Sequence, residues 1–205
     1  MELLNIIEKV SNEIIKNKDY LTELDREIGD GDHGVNISRG FEKILEEIPK
    51  MEGQKPADIF MKMTMLLMSN VGGASGALYS TALMKGAAVL KKSEVITPEV
   101  MVEVWDEMIK GIQMRGKAVL GEKTMLDTQI PAFNEFKKEI LAGKDLKESF
   151  LLASEKAKEG MESTKDIIAT KGRASYLGER SIGHIDPGAT SSYIIIKTIS
   201  DELNR

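Results

Sequence analysis

Residues 24–40, LDREIGDGDHGVNISRG, hold three aspartates, one histidine and four glycines. Asp25, Asp30 and Asp32 are acidic within eight positions, on a stretch whose glycines allow sharp folding. Carboxylates so close repel unless a cation sits among them, and all-oxygen ligation selects a hard ion such as Mg²⁺ or Ca²⁺. Mg²⁺ keeps open positions for water and phosphate oxygens, so such a loop can hold a nucleotide through the metal. A solvated acidic turn is the other reading of the same residues. His33 admits three: phosphate donor, metal ligand, or a polar residue hydrogen-bonded to its neighbours.

Two familiar motifs fail here. Residues 29–34 match the G-x-G-x-x-G spacing of dinucleotide loops, but YLTELDRE precedes them where that fingerprint needs a strand. An EF-hand starting at Asp30 would need Asp or Asn where Gly34 stands and Gly where Val35 stands.

Three further glycine-rich stretches carry chemistry. In VGGASGA, residues 71–77, successive glycines can turn backbone N–H groups toward an anion, and Ser75 adds a hydroxyl ahead of a helix. GKAVLGEKT, residues 116–124, nearly spells a Walker A loop, but Glu122 displaces Lys123 and Thr124 by one position and no strand precedes it. Gly116 and Met125 still offer close backbone approach and an apolar surface for a purine. Residues 171–188 supply Arg173 and Arg180 as fixed cations. There Asp186 can accept from a ribose hydroxyl or cap the helix that Pro187 opens.

The elements that position these stretches read as helices. Leu3, Ile6, Ile7, Val10 and Ile14 recur at helical spacing, as do Ile37, Phe41, Ile44 and Ile48 before Pro49. Further helices are expected over 56–68 and 76–90, from Thr97-Pro98 to about Met114, and from Asp145 through Ala157. The apolar run 193–196 is strand-like, but a lone strand has no partner, so it is expected to be a buried helix. The stripe Met61, Met63, Met65 and Met68 is expected to be adaptable core packing.

Composition narrows the function. The 205 residues suffice for one core, giving a single domain over 1–205. A net charge of −5 with no basic block argues against nucleic-acid and membrane partners, and no cysteine is present for a disulfide, thiolate site or nucleophile. The first residues lack a signal-peptide pattern and no apolar run reaches the ~20 residues of a bilayer span, so a cytoplasmic protein is expected.

Four stretches, LTELDREIGDGDHGVNISRGF, GGASGALY, GEKTMLD and KGRASYLGERSIGHIDPGATSS, together resemble the ADP-binding L subunits of bacterial dihydroxyacetone kinases, in that family's order from Leu21 to Ser192. The resemblance implies an all-α fold, an eight-helix antiparallel up-and-down barrel with the nucleotide site in loops at one end. It implies ADP or ATP bound with two Mg²⁺ ions held by Asp25, Asp30 and Asp32. Nucleotide contacts are implied for His33, Gly34, Val35 and Asn36, for Ala74 and Ser75, and for Gly116, Met125, Arg173, Asp186, Pro187 and Gly188. No side chain is expected to be covalently modified. The implied partners are an M subunit, whose phosphohistidine rephosphorylates ADP, and a K subunit, which holds dihydroxyacetone; a homodimer is compatible with this. The alternative is the nucleotide subunit of an ATP-dependent kinase for another small ketose or related substrate. Ile185, Thr128 and Gln129 depart from the family pattern.

Overall fold

The structure, a computed structural model, describes residues 2–205; Met1, which opens the expected single domain, lies outside them. Among the described residues the chain is helical throughout, with nine α-helices joined by loops and short 3-10 turns. They are α1 (Glu2–Lys16), α2 (Lys18–Ile28), α3 (His33–Glu47), α4 (Pro56–Asn70), α5 (Gly73–Leu90), α6 (Pro98–Gly116), α7 (Leu126–Leu141), α8 (Leu146–Ser163) and α9 (Pro187–Leu203). The all-α class is as expected, and the run 193–196 lies within α9.

Local chemistry sets several boundaries. The Thr97 hydroxyl accepts from Val100 N–H, and the Asp145 and Asp186 carboxylates accept from Glu148 and Ala189 N–H at 2.8 and 2.7 Å. Each satisfies an N-terminal donor that has no intrahelical partner. The periodicity reading starts α3 and α5 too late. His33 and Gly73 already lie in their first turns, so residues expected in loops belong to helix N-termini.

Periodicity shows neither α2, which is short and polar although its residues 20–27 read as helix-prone, nor α7, where Pro131 sits inside the helix. Pro131 has no N–H to give the Asp127 carbonyl. Helix α8 exploits the gap: a Cβ placed on Gly160 would stand 2.1 Å from that carbonyl oxygen.

Packing runs from α1 to α3, then through α4, α5, α6, α7 and α8 to α9, and returns from α9 to α1. Helix α2 packs on α3 and α9. One apolar cluster gathers Trp105, Phe133, Phe136 and Phe150 from α6, α7 and α8, and a second gathers Ile14, Ile37, Ile44 and Leu67 from α1, α3 and α4. Tyr79 and Met108 pack against both.

The methionine stripe departs from expectation. Met63 is buried, but Met61, Met65 and Met68 are 40%, 55% and 61% exposed. Positions 61, 65 and 68 share one helical face, whereas 59, 63 and 67 share the opposite one, and only the second faces the core.

Gly160→Ala is expected to push α8 off α7 and lower the unfolding free energy by about 1–3 kcal/mol. Urea denaturation followed by circular dichroism reads this, and an unchanged midpoint would contradict the close approach.

Candidate functional site

Helices α2 and α3 are joined by four residues, and the turn brings three carboxylates together. One ligand oxygen each from Asp25, Asp30 and Asp32 lies within 4.8 Å of the others. Asp25 also shapes the turn: its Oδ2 accepts from the backbone N–H of Asp32 at 2.8 Å and of His33 at 3.1 Å. Gly29 must lack a side chain, because a Cβ there would meet Asp25 Oδ1 at 2.1 Å. Asp30 reaches across to Arg173 on the 3-10 segment Arg173–Ser181, at 2.9 Å.

These carboxylates border a cavity of about 470 Å³. Of the metal and nucleotide residues implied by the resemblance, all line it except Gly34, Val35 and Asn36, and of the two cations singled out in residues 171–188 Arg173 lines it and Arg180 does not. Gly34 is a packing glycine, where a Cβ would lie 2.0 Å from the Lys18 carbonyl. Val35 is exposed. Asn36 accepts from Arg39 at 2.8 Å and stands against Gly72.

His33 is buried and spent on hydrogen bonds. Its Nδ1 lies 2.9 Å from the Ser75 hydroxyl and its Nε2 3.0 Å from the Ser191 hydroxyl. Burial pulls its pKa down to about 4, against the opposing pull of Asp25, so the ring is neutral near pH 7. Of the three readings open for His33, the polar, neighbour-bonded one describes this geometry. The ring joins the first turns of α3, α5 and α9, whose N-termini are thereby held together. The partial positive charge of three such ends favours an anion between them, although Asp25 already accepts from His33 N–H and Asp186 from Ala189 N–H.

The other side of the cavity is built from Gly116, Met125 and the turn Asp186-Pro187-Gly188. Asp186 is the cap of α9 and also faces the cavity. Burial pushes its carboxyl up to about 7, opposed by the Ala189 N–H that it accepts and by the Lys123 ammonium.

Several residues with a part here were not singled out from sequence. Tyr79 lines the cavity, and its hydroxyl lies 3.0 and 3.1 Å from those of Ser191 and Ser192; its signal was one large polar side chain in an otherwise small-residue helix start. Asp127 accepts from the N–H groups of Gly121 and Thr124 at 2.6 and 2.7 Å, which folds the loop before α7. Lys123, set aside with the displaced Walker motif, is buried and donates to the carbonyls of Thr164 and His184. Burial pulls its ammonium below the ordinary lysine range, against the favourable charges of Asp186, Asp166 and Asp127. The departures Thr128 and Gln129 are internal donors and acceptors: Thr128 donates to the Ala189 carbonyl at 3.0 Å, and Gln129 accepts from the Trp105 indole at 2.8 Å.

The structure thus sets an acidic cluster beside converging helix N-termini on an all-helical scaffold, and known proteins share its sequence and fold. Residues 27–201 match the family described as the DAK2 domain, and the chain belongs to that family. It is 43% identical over 180 residues to the PEP-dependent dihydroxyacetone kinase 1, ADP-binding subunit DhaL of Listeria innocua, covering 88% of this chain and 85% of that one. It is 37% identical over 199 residues to the PEP-dependent dihydroxyacetone kinase, ADP-binding subunit DhaL of Escherichia coli K12, covering 97% and 95%. Among solved structures, the native dihydroxyacetone kinase of C. freundii superposes with a TM-score of 0.77 at 22% identity, over 97% of this chain and 34% of that one. The same enzyme in complex with AMP-PNP and Mg²⁺ gives 0.74. The fold is therefore that of part of a much longer kinase chain.

His33→Ala is expected to leave two serine hydroxyls without their ring partner and open a cavity, lowering unfolding free energy by about 2–4 kcal/mol. The measurement is urea unfolding in the presence of a chelator, so that ligand linkage does not enter. Wild-type stability would remove His33 from the role of tie.

Proposed function

We propose that this chain is the ADP-binding subunit of a phosphoenolpyruvate-dependent dihydroxyacetone kinase, and that the cavity holds ADP or ATP with Mg²⁺. The observation that carries the reading is the aspartate triad, with ligand oxygens within 4.8 Å, bordering a cavity onto which three helix N-termini open. The names of relatives that the chain matches over nearly their whole length support it.

The donor set fits a hard cation: three carboxylates, with no sulfur and no imidazole free to bind. Asp25, Asp30 and Asp32 would hold Mg²⁺, and we propose two ions. Bound there, Mg²⁺ neutralises phosphate charge. The chain's own residues do the rest by placement. The first turn of α5, with Ala74 and Ser75, offers its N–H groups to the phosphates, and the dipoles of α3 and α9 add to theirs. Arg173 supplies a cation from the opposite rim, where it already meets Asp30. Gly116, Met125 and the 186–188 turn enclose the nucleoside. No side chain serves as a covalent nucleophile, so the contribution is orientation and electrostatics, as is usual for phosphoryl transfer.

In this scheme the phosphoryl group enters on ADP from a phosphohistidine of an M subunit. It leaves from ATP to dihydroxyacetone on a K subunit, in the cytoplasm. Among the described residues no helix is long and apolar enough to cross a membrane, in keeping with that placement. The closed sequence of helix contacts supports the eight-helix barrel of the proposal, with α2 as the link that presents the aspartates.

Asp30→Ala is expected to reduce Mg²⁺-dependent ADP affinity by about a hundredfold or more while the helical spectrum is kept. Calorimetric titration with ADP, with and without Mg²⁺, checks this. ADP binding at normal Mg²⁺ dependence in the variant would overturn the metal assignment. Reconstitution with K and M subunits, driven by phosphoenolpyruvate or by ATP, tests the donor: turnover is expected with phosphoenolpyruvate.

A further inference from the structure

The side chain of Lys123 is 1% exposed, lies against the cavity and is not itself in the phosphate or metal cluster. Its backbone adopts φ 59°, a left-handed conformation that costs a non-glycine residue about 1 kcal/mol or more and persists only where surroundings impose it. The Asp127 carboxylate holds the loop on either side of it through the N–H groups of Gly121 and Thr124, and Nζ donates to the carbonyls of Thr164 and His184. These carbonyls stand at the two ends of one long connection, where it leaves α8 and where it enters α9.

The end of that connection ahead of α9 and the lysine's own loop form the walls on the nucleoside side. Lys123 is two residues before Met125, and His184 is two residues before Asp186, so the bond between them ties one wall to the other just behind the lining residues. The walls approach at Gly188, where a Cβ would lie 3.7 Å from Met125. Thr164 serves both: its carbonyl accepts from Lys123, and its hydroxyl accepts the Asp186 N–H at 3.0 Å. A compact ammonium suits this post, since it can donate in three directions from a flexible stem, which a planar guanidinium cannot do in the same volume.

We propose that Lys123 is a positioning residue: it sets the width of the gap between Met125 and the Asp186-Pro187-Gly188 turn, and so selects for the nucleoside part of the ligand. The inference rests on the reading of the cavity as an ADP site.

The test uses the full chain with Lys123→Met, which keeps the stem and removes the donors. Three affinities are measured: Mn²⁺ alone by electron paramagnetic resonance, and ADP and pyrophosphate in the presence of Mn²⁺ by calorimetry. A positioning role predicts unchanged Mn²⁺ affinity, an ADP affinity lower by about tenfold or more, and a ratio of ADP to pyrophosphate affinity that falls by the same factor. Unchanged ADP affinity in the folded variant overturns the proposal, and so does an equal loss for ADP and pyrophosphate. If Lys123→Met does not fold, Lys123→Arg decides, because it keeps the charge while a planar guanidinium in that volume cannot donate to both carbonyls. Selective loss of ADP affinity there supports the proposal and wild-type affinity overturns it. Failure of the wild-type chain to bind ADP at all would instead strike the underlying reading of the cavity, a result distinct from any variant's behaviour.

Discussion

Three carboxylates with oxygens within 4.8 Å of one another impose a constraint that the surrounding structure answers. At that separation each pair repels by about 1 kcal/mol at the dielectric constant of water and by about 3 kcal/mol at the effective value near a protein surface. The nearest fixed cation, Arg173, meets Asp30 in an exposed pair, and such pairs contribute about 0–1 kcal/mol. One guanidinium does not offset three repulsions. Hydrogen bonds into Asp25 from two backbone N–H groups help one carboxylate only. That residual repulsion is what the proposed Mg²⁺ would relieve, and a cation there would draw phosphate oxygens toward the helix ends beside it.

Holding those helix ends together is a second task, and it falls to buried polar side chains rather than to apolar packing. His33 spans Ser75 and Ser191, while Tyr79 spans Ser191 and Ser192, so α3, α5 and α9 share one hydrogen-bonded knot. Such a knot works only if every member is satisfied, since an unpaired buried polar group costs about 1–3 kcal/mol. Burial keeps His33 neutral, which lets one ring nitrogen donate and the other accept.

What the sequence made legible follows from the range of each interaction. Caps at Thr97, Asp145 and Asp186 act over three residues, and all three were readable. The aspartate triad spans eight residues and was readable as a cluster. The partners of His33 lie 42 and 158 residues away, and those of Lys123 lie 41 and 61 away, so no local pattern announces them. Helix α7 was hidden because Pro131 breaks the local rule, and its compensation, the bare Cα of Gly160, comes from another helix. The methionine stripe misled for a different reason. Alternate positions along a helix point to different faces, so Met61 and Met63 had no common environment to begin with.

The two kinds of stabilisation have different consequences for the site. Trp105, Phe133, Phe136 and Phe150 lock α6, α7 and α8 by ring contacts at 4.7–6.0 Å, and the ends of those helices carry Gly116, Met125 and Thr164 toward the cavity. Loss of an aromatic ring there leaves a cavity in a shared core and weakens the whole fold. The loops beyond the helix ends are held mainly by side chain–backbone hydrogen bonds, with one small apolar cluster of Ile28, Ala169 and Ala174 to share the load. Segments of that kind open locally at lower free energy than the core. Under the proposed function a nucleotide would pass these segments, so rigid helices would carry walls whose opening the polar ties limit.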